Sequence, residues 1–213
     1  MSASVEGGAG RTDHALERLI FFSDAVFAIA ITLLVLELRV PHLPKGSPDR
    51  AYLAELAQLI PSFAGYIISF AVIGVFWMGH HRAFTLAGRY SNRILGWNMA
   101  LLGVIAFMPF STAFFAQNLN QHVPSIFYCA TMLAAGLFNL AVVRVATGPD
   151  MVDEQADPAM VRYARGRSLA VVIGAFTALL LAFFIPAYAQ IGLASISLWR
   201  RLLVKRPAQS PLA

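Results

Sequence analysis

Long uninterrupted apolar segments constrain this chain more than any other feature of its sequence. A helix needs roughly 20 mostly apolar residues to cross the hydrocarbon of a bilayer, and four segments qualify: residues 18–38, 60–78, 94–115 and 125–145. A further apolar region, residues 168–203, is interrupted by Pro186, which favours two short spans at 168–185 and 187–203. We therefore predict an all-α polytopic membrane protein with six transmembrane helices.

The composition and the two ends of the chain agree with this fold class. Of the 213 residues, 58% are hydrophobic and 13% are charged, whereas a soluble domain carries about 25% charged residues. The first 17 residues lack the apolar core of a cleavable signal peptide, and the single cysteine, Cys129, permits no intrachain disulfide. We expect a flexible cytoplasmic N-terminus at 1–16, a six-helix transmembrane domain at 17–203 and a cytoplasmic tail at 204–213.

The basic residues predict how the spans are oriented. With six spans and a cytoplasmic N-terminus, 13 of the 16 lysines and arginines lie on the cytoplasmic side, and the exceptions are Arg39, Lys45 and Arg50. This distribution follows the positive-inside rule. Five spans would leave 9 basic residues inside and 7 outside, which is no clear bias. The net charge of +5 thus reflects topology, and we expect no nucleic-acid partner.

The first apolar segment carries a carboxylate, Asp24, inside an otherwise membrane-compatible run. At about 100° of rotation per residue, one stripe lies within about 60° of Ile29, and it contains Phe22, Ile29, Thr32, Leu33 and Leu36. Asp24 lies about 140° from Ile29, so it faces other surroundings. The stripe has two interpretations: contact with lipid or neighbouring helices, or a hydrophobic constriction that gates a pore by dewetting. The periodicity does not choose between them.

A carboxylate within hydrocarbon needs a partner or a function. On the six-span topology, residues 76–84 lie at a similar depth to Asp24 and supply the donors Trp77, His80, His81 and Arg82. We favour a structural role for Asp24 among these donors. Proton sensing by a His–Asp pair is the alternative.

The sequence contains no arrangement for catalysis or for a bound metal. His80 and His81 are adjacent and face different sides of a helix, and neither HExxH nor a Cys/His spacing occurs. A nucleophile with a base and an orienting group is also lacking, so we expect neither an enzyme nor a cofactor. The potassium-channel filter T-V-G-Y-G is absent, which favours modest over stringent ion selectivity.

Two motifs carry a resemblance to a known family. The sequence RLIFFSD fits R-x-x-x-F-S-D, and the apolar run AVFAIAITLLVLEL and the segment FWMGHHRAF follow it. In these motifs the chain resembles the transmembrane protein 175 family, potassium channels of endolysosomes that also occur in bacteria and archaea. Beyond Phe84 the resemblance rests on hydropathy and length. It implies a structural signature made of Arg18, Phe22, Ser23, Asp24, Trp77, His80, His81 and Arg82.

The resemblance also implies a pore. Family members place the first helix of each six-helix repeat around a central ion pathway, and a chain with one repeat looks like the prokaryotic form, which is a homotetramer. The implied constriction is formed by Ile29, Leu33 and Leu36, and the implied cation selectivity depends on Thr32. The helical stripe, which rests on periodicity alone, contains the same residues.

These observations favour a potassium-permeable cation channel with a hydrophobic constriction on its first helix and modest selectivity for K⁺ over Na⁺. The expected partners are K⁺ and other monovalent cations, the lipid bilayer and further copies of the chain in a homotetramer. The expected location is the prokaryotic plasma membrane, with both termini cytoplasmic. A secondary carrier or a proton-leak pathway is the alternative, although a carrier needs more polar mid-membrane residues than Thr32, Ser69, Asn98, Thr131 and Asn139.

Overall fold

The computed structural model describes residues 3–203, with side chains from residue 14 onward. This part of the chain is helical, and it contains no strand beyond one isolated bridge between Ala87 and Val152. The all-α architecture predicted from the apolar segments is confirmed. The helices are α1 (Ala3–Leu33), α2 (Asp49–Gln58), α3 (Ile60–Thr85), α4 (Asn92–Ala116), α5 (His122–Ala146), α6 (Pro158–Phe184) and α7 (Ile191–Leu203), with short 3₁₀ helices at Leu34–Glu37 and Pro186–Tyr188.

Five helical stretches are long and apolar enough to cross a bilayer. They are His14–Glu37, which continues α1 into its 3₁₀ turn, and the helices α3, α4, α5 and α6, and each has between 24 and 27 residues. Such helices are about 36 to 40 Å long, which exceeds the hydrocarbon thickness of about 30 Å. The chain is therefore an integral membrane protein.

The C-terminal pair of helices differs from the sequence prediction. α6 begins at Pro158, about ten residues before the predicted start, because Asp157 caps it by accepting a hydrogen bond from the Ala159 amide at 2.7 Å. The sixth predicted span is present as the shorter helix α7, which begins after the 3₁₀ turn at Pro186–Tyr188. Its 13 residues are about 20 Å long, less than the hydrocarbon thickness.

The N-terminal end also differs from the expected boundaries. α1 begins at Ala3, so helical backbone extends through most of the segment 1–16. The flexibility predicted for that segment stays a prediction. The predicted tail at 204–213 lies outside the described residues.

The core lies between α4 and α5, which pack against each other and against α3, while α6 covers α5. The largest side chains buried there are Ile94, Leu101, Ile105 and Met108 of α4 and Tyr128 and Met132 of α5. α1 packs against α3 and α4 along one of its faces. Consequently α1 lies at the edge of the bundle, where its other face is uncovered.

Small residues bring α6 and α7 into close contact. A Cβ atom added to Gly192 of α7 would lie 2.5 Å from the Cα atom of Ala178 on α6, and one added to Gly174 of α6 would collide with Ile196. Glycine and alanine let membrane helices approach closely without large side chains between them. The short helix α7 is therefore held alongside α6.

The loop between α3 and α4 and the loop between α5 and α6 meet at one end of the bundle. The Gly88 amide donates to the Met151 carbonyl at 2.8 Å, and the Asp153 amide donates to the Leu86 carbonyl at 2.9 Å. These bonds place the C-terminal ends of α3 and α5 and the start of α6 at the same end.

Candidate functional site

Helix α1 has one buried and one exposed face. The buried face packs against α3 and α4 and consists of residues that are at most 5% exposed, namely Leu19, Ser23, Phe27, Ala30 and Leu34. The exposed face includes all five residues of the predicted stripe, Phe22, Ile29, Thr32, Leu33 and Leu36. The rest of the chain therefore leaves the stripe uncovered.

The aliphatic residues of the stripe are large and open to the surroundings. Ile29 is 57% exposed, Leu33 is 40% exposed and Leu36 is 74% exposed. Leu36 lies in the 3₁₀ turn that follows α1, where residues three apart eclipse one another. This geometry aligns Leu36 with Leu33 along the helix axis. In a membrane, such a face contacts lipid or another protein chain.

Thr32 lies on the same face and bonds its hydroxyl to its own helix. The Thr32 Oγ1 atom donates to the Ile29 carbonyl oxygen at 2.9 Å. Because its only proton is used in this bond, the hydroxyl presents acceptor lone pairs to the surroundings. Such an oxygen suits a cation or the hydrogen of a water molecule.

Asp24 lies on the flank of α1 that meets α3. Its Oδ1 atom accepts a hydrogen bond from Nε1 of Trp77 at 2.8 Å. Among the described residues, Trp77 alone of the four predicted donors bonds the carboxylate, and no salt bridge reaches it. His81 instead stacks on the Trp77 indole, with ring centroids 5.9 Å apart.

Three buried side chains form a continuous chain of hydrogen bonds across α1, α4 and α3. Ser23 Oγ donates to the Leu19 carbonyl at 2.7 Å and accepts from Asn98 Nδ2 at 2.8 Å. Asn98 Oδ1 lies 2.7 Å from His80 Nε2, and since a carbonyl oxygen only accepts, Nε2 carries the proton. Ser23, Asn98 and His80 are all 0% exposed.

The tautomer of His80 leaves its second ring nitrogen as an acceptor. Within the described part of the chain, Nδ1 of His80 has no hydrogen-bond partner. The rings of Phe27 and Phe84 lie 5.4 Å and 4.5 Å from the imidazole, measured between centroids. The histidine is thus enclosed by aromatic rings and oriented by one amide.

Sequence reasoning named Ser23 and His80 but did not connect them through Asn98. The available signal was a polar amide inside an apolar span. Hydroxyl groups inside apolar spans form a second cluster, in which Ser69 Oγ lies 2.8 Å from Thr112 Oγ1 and 3.0 Å from the Tyr128 hydroxyl. This second cluster joins α3, α4 and α5 in the core.

Two residues of the predicted signature lie on the exposed side of α1. Phe22 is 53% exposed. Arg18 is exposed, and it forms no salt bridge with another described residue. The structural role predicted for Arg18 therefore stays a prediction.

Comparisons with known proteins agree with this arrangement. The sequence profile of the family described as "Endosomal/lysosomal potassium channel TMEM175" matches residues 18–109. This range includes the stripe and the hydrogen-bonded pairs Ser23–Asn98 and Asp24–Trp77. A potassium channel of Chamaesiphon minutus is 39% identical over 144 residues, which are 66% of this chain and 70% of the relative. The chain belongs to the TMEM175 family. Since this is a family of channels, the chain is not an enzyme.

A second relative and a solved structure extend the comparison. A potassium channel of Streptomyces collinus is 40% identical over 124 residues, which are 56% of this chain and 59% of the relative. The crystal structure of a lysosomal potassium-selective TMEM175 homologue from Chamaesiphon minutus is similar with a TM-score of 0.75 and 29% identity. The similarity covers 89% of this chain and 97% of that one, so the two chains share the same helical fold.

The Asn98 amide should be essential for stability. In Asn98→Ala, Ser23 loses a donor and His80 loses its acceptor, and each unsatisfied buried group costs about 1–3 kcal/mol. We expect the variant purified in detergent to unfold at a clearly lower temperature. The control is Asn92→Ala, because Asn92 lies exposed at the start of α4. Equal unfolding temperatures for the two variants would contradict the role of the amide.

Proposed function

We propose that the chain forms a potassium-permeable cation channel, with the exposed stripe of α1 lining a pore enclosed by four copies. The observation that carries the proposal is the aliphatic face of α1 left uncovered by the rest of a chain that belongs to a channel family. Lipid contact would also account for an aliphatic face. Family membership favours the pore, since the relatives from Chamaesiphon minutus and Streptomyces collinus are named potassium channels.

A pore of this kind requires several copies of the chain. A single α1 presents one stripe and cannot enclose an axis, whereas four copies related by rotation can surround one. The buried face of α1 is already committed to α3 and α4. The exposed face is therefore the part of the helix that remains for a neighbouring copy, and the tetramer follows from the resemblance to single-repeat family members.

Ile29 forms the constriction in this proposal, with Leu33 and Leu36 as further apolar layers. Four β-branched side chains around an axis make a narrow ring that offers no oxygen in place of the water that an ion loses. Dewetting of such a ring blocks ions without any moving lid. The ring accordingly limits the current more than it discriminates between cations.

Thr32 supplies selectivity in this proposal. It borders the stripe, and its hydroxyl proton is held by the Ile29 carbonyl. Four such oxygens would form a ring of acceptors beside an apolar constriction. Hydroxyl oxygens replace part of a hydration shell less completely than a carbonyl cage, so the preference for K⁺ over Na⁺ is modest.

Replacement of Ile29 by asparagine should open the constriction. Each amide hydrogen-bonds water and keeps the ring wet, and a barrier lowered by about 1.4 kcal/mol raises the rate of crossing about tenfold. We expect larger single-channel conductance and weaker K⁺ over Na⁺ preference in planar bilayers with purified protein. The matched control is Ile67→Asn, because Ile67 of α3 is 63% exposed while Ile29 is 57% exposed. If both variants conduct like the unchanged protein, α1 does not line the pore.

Removal of the Thr32 hydroxyl should change selectivity more than conductance. Thr32→Val keeps the branched shape and removes the acceptor oxygen. We expect the reversal potential between K⁺ and Na⁺ solutions to move towards zero. Thr177→Val is the control, since Thr177 of α6 bonds its hydroxyl to its own helix in the same way, at 2.9 Å from the Ile173 carbonyl. A shift of equal size in both variants would remove Thr32 from the selectivity mechanism.

Both termini are placed in the cytoplasm by the same proposal. The loops that follow α3 and α5 meet at one end of the bundle. The last turn of α7 lies at the same end, because Arg200 of α7 and Arg167 near the start of α6 border one cavity. This arrangement supports a C-terminus on the side of those two loops. Single cysteines at Ser47 and Ser210, in a chain with Cys129→Ser, should react with an impermeant thiol reagent from opposite sides of sealed cells. Labelling of both positions from the same side would contradict the six-span topology. Ser210 lies outside the described residues.

A further inference from the structure

Three arginines without acidic partners lie close together at the end of the bundle where α6 begins. They are Arg82 of α3, Arg167 of α6 and Arg200 of α7, and each is partly buried. Arg167 shares the wall of one cavity with Arg200 and the wall of a second, smaller space with Arg82 and Tyr163. Neither salt bridge of the described residues involves any of the three. Clustered cations near hydrocarbon are costly unless an anion joins them.

An apolar cavity adjoins this cluster. It has a volume of about 250 Å³ and is lined mainly by aliphatic side chains of α3, α6 and α7, with Arg167 and Arg200 on its wall. An apolar cavity of about 150 Å³ is large enough to hold benzene, so this one accommodates several methylene groups. Arg167 lies one turn of α6 from Val171, towards the end of the bundle where α6 begins. Arg200 lies one turn of α7 from Ile196 in the same direction, since α7 runs back along α6. The site thus has an apolar part and a cationic end.

A buried amide oxygen without a partner among the described residues lies near the guanidinium groups of Arg82 and Arg167. Asn139 of α5 is 3% exposed, and its side-chain oxygen has no hydrogen-bond partner among the described residues. It lines a small space of about 20 Å³ together with Arg82, Tyr163 and Arg167. That space is large enough for one water molecule or a small polar group. Because an amide oxygen only accepts, a water molecule or a hydroxyl of a ligand would satisfy it, whereas a phosphate oxygen would not.

We propose that an anionic glycerophospholipid of the cytoplasmic leaflet binds between α3, α6 and α7, with its phosphate on the three arginines and an acyl chain in the cavity. Basic pockets between transmembrane helices on the cytoplasmic side bind anionic headgroups in this way. Arginine also pairs with phosphate through two parallel hydrogen bonds. The choice of leaflet rests on the proposed orientation of the chain. The site itself rests on the membrane location and on the residues of α3, α6 and α7 that line the cavity, and it holds whether or not α1 lines a pore.

Binding of short-chain lipids to the purified protein tests the site directly. Native mass spectrometry of the detergent-solubilised full chain should detect dioctanoyl phosphatidylglycerol bound more tightly than dioctanoyl phosphatidylcholine. Arg167→Gln and Arg200→Gln should each weaken binding of phosphatidylglycerol about tenfold, since each removes a charge-assisted contact. The controls are Arg162→Gln and Arg201→Gln, which remove the same charge from exposed positions of the same two helices. These controls should leave the affinity unchanged.

A variant that keeps every arginine tests the acyl-chain part of the site. Ala71 lines the cavity from an exposed position on α3, so Ala71→Leu fills space without burying a new polar group. We expect it to weaken binding of phosphatidylglycerol, and inorganic phosphate at equal concentration should not displace the lipid. Two results with the lipids would overturn the proposal: equal binding of phosphatidylcholine, or displacement of phosphatidylglycerol by inorganic phosphate. Two results with the variants would also overturn it: an equal loss of affinity in all four arginine variants, or unchanged affinity in Ala71→Leu.

Discussion

Hydrocarbon offers no hydrogen bonds, and this constraint fixes the direction in which α1 faces. The polar atoms of Ser23, Asn98 and His80 have no water available, so they satisfy one another across three helices. These hydrogen bonds run in one direction: the imidazole N–H donates to the amide oxygen, and the amide N–H donates to the serine hydroxyl. Rotation of α1 by one residue, about 100°, would break the bond at Ser23. The orientation of the aliphatic stripe is thus set by polar atoms on the opposite face.

The two kinds of residue on α1 therefore have separate roles. Ser23 and Asp24 attach the helix to α4 and α3 through Asn98 and Trp77, and they lie away from Ile29. The stripe makes no comparable attachment, because its members are exposed. The spacing along α1 thus keeps the hydrogen-bonded residues apart from the stripe.

Hydropathy predicted α4 and α5 to within three residues at either end, since hydrocarbon thickness determines how long an apolar helix must be. It was wrong at α6, whose first turns carry Arg162, Arg165 and Arg167. Arginine lowers the mean hydropathy, although its long stem packs along a helix while its head reaches the membrane surface. The cap at Asp157, and not the hydropathy, marks the true start. Contacts such as Gly192 against Ala178 cannot be predicted from one sequence, because they depend on how α7 returns along α6.

Some features of the candidate site depend on the geometry of one helix, and others depend on contacts between distant parts of the sequence. The angle between Asp24 and Ile29 requires only the geometry of one helix, so the sequence predicted which face carries the stripe. The partner of Ser23 lies 75 residues away on α4, and its identity depends on the packing of the whole bundle. The residues that the packing leaves uncovered are then informative, because they face partners outside the chain. An aliphatic face leaves room for lipid or another copy, whereas clustered guanidinium groups attract an anion.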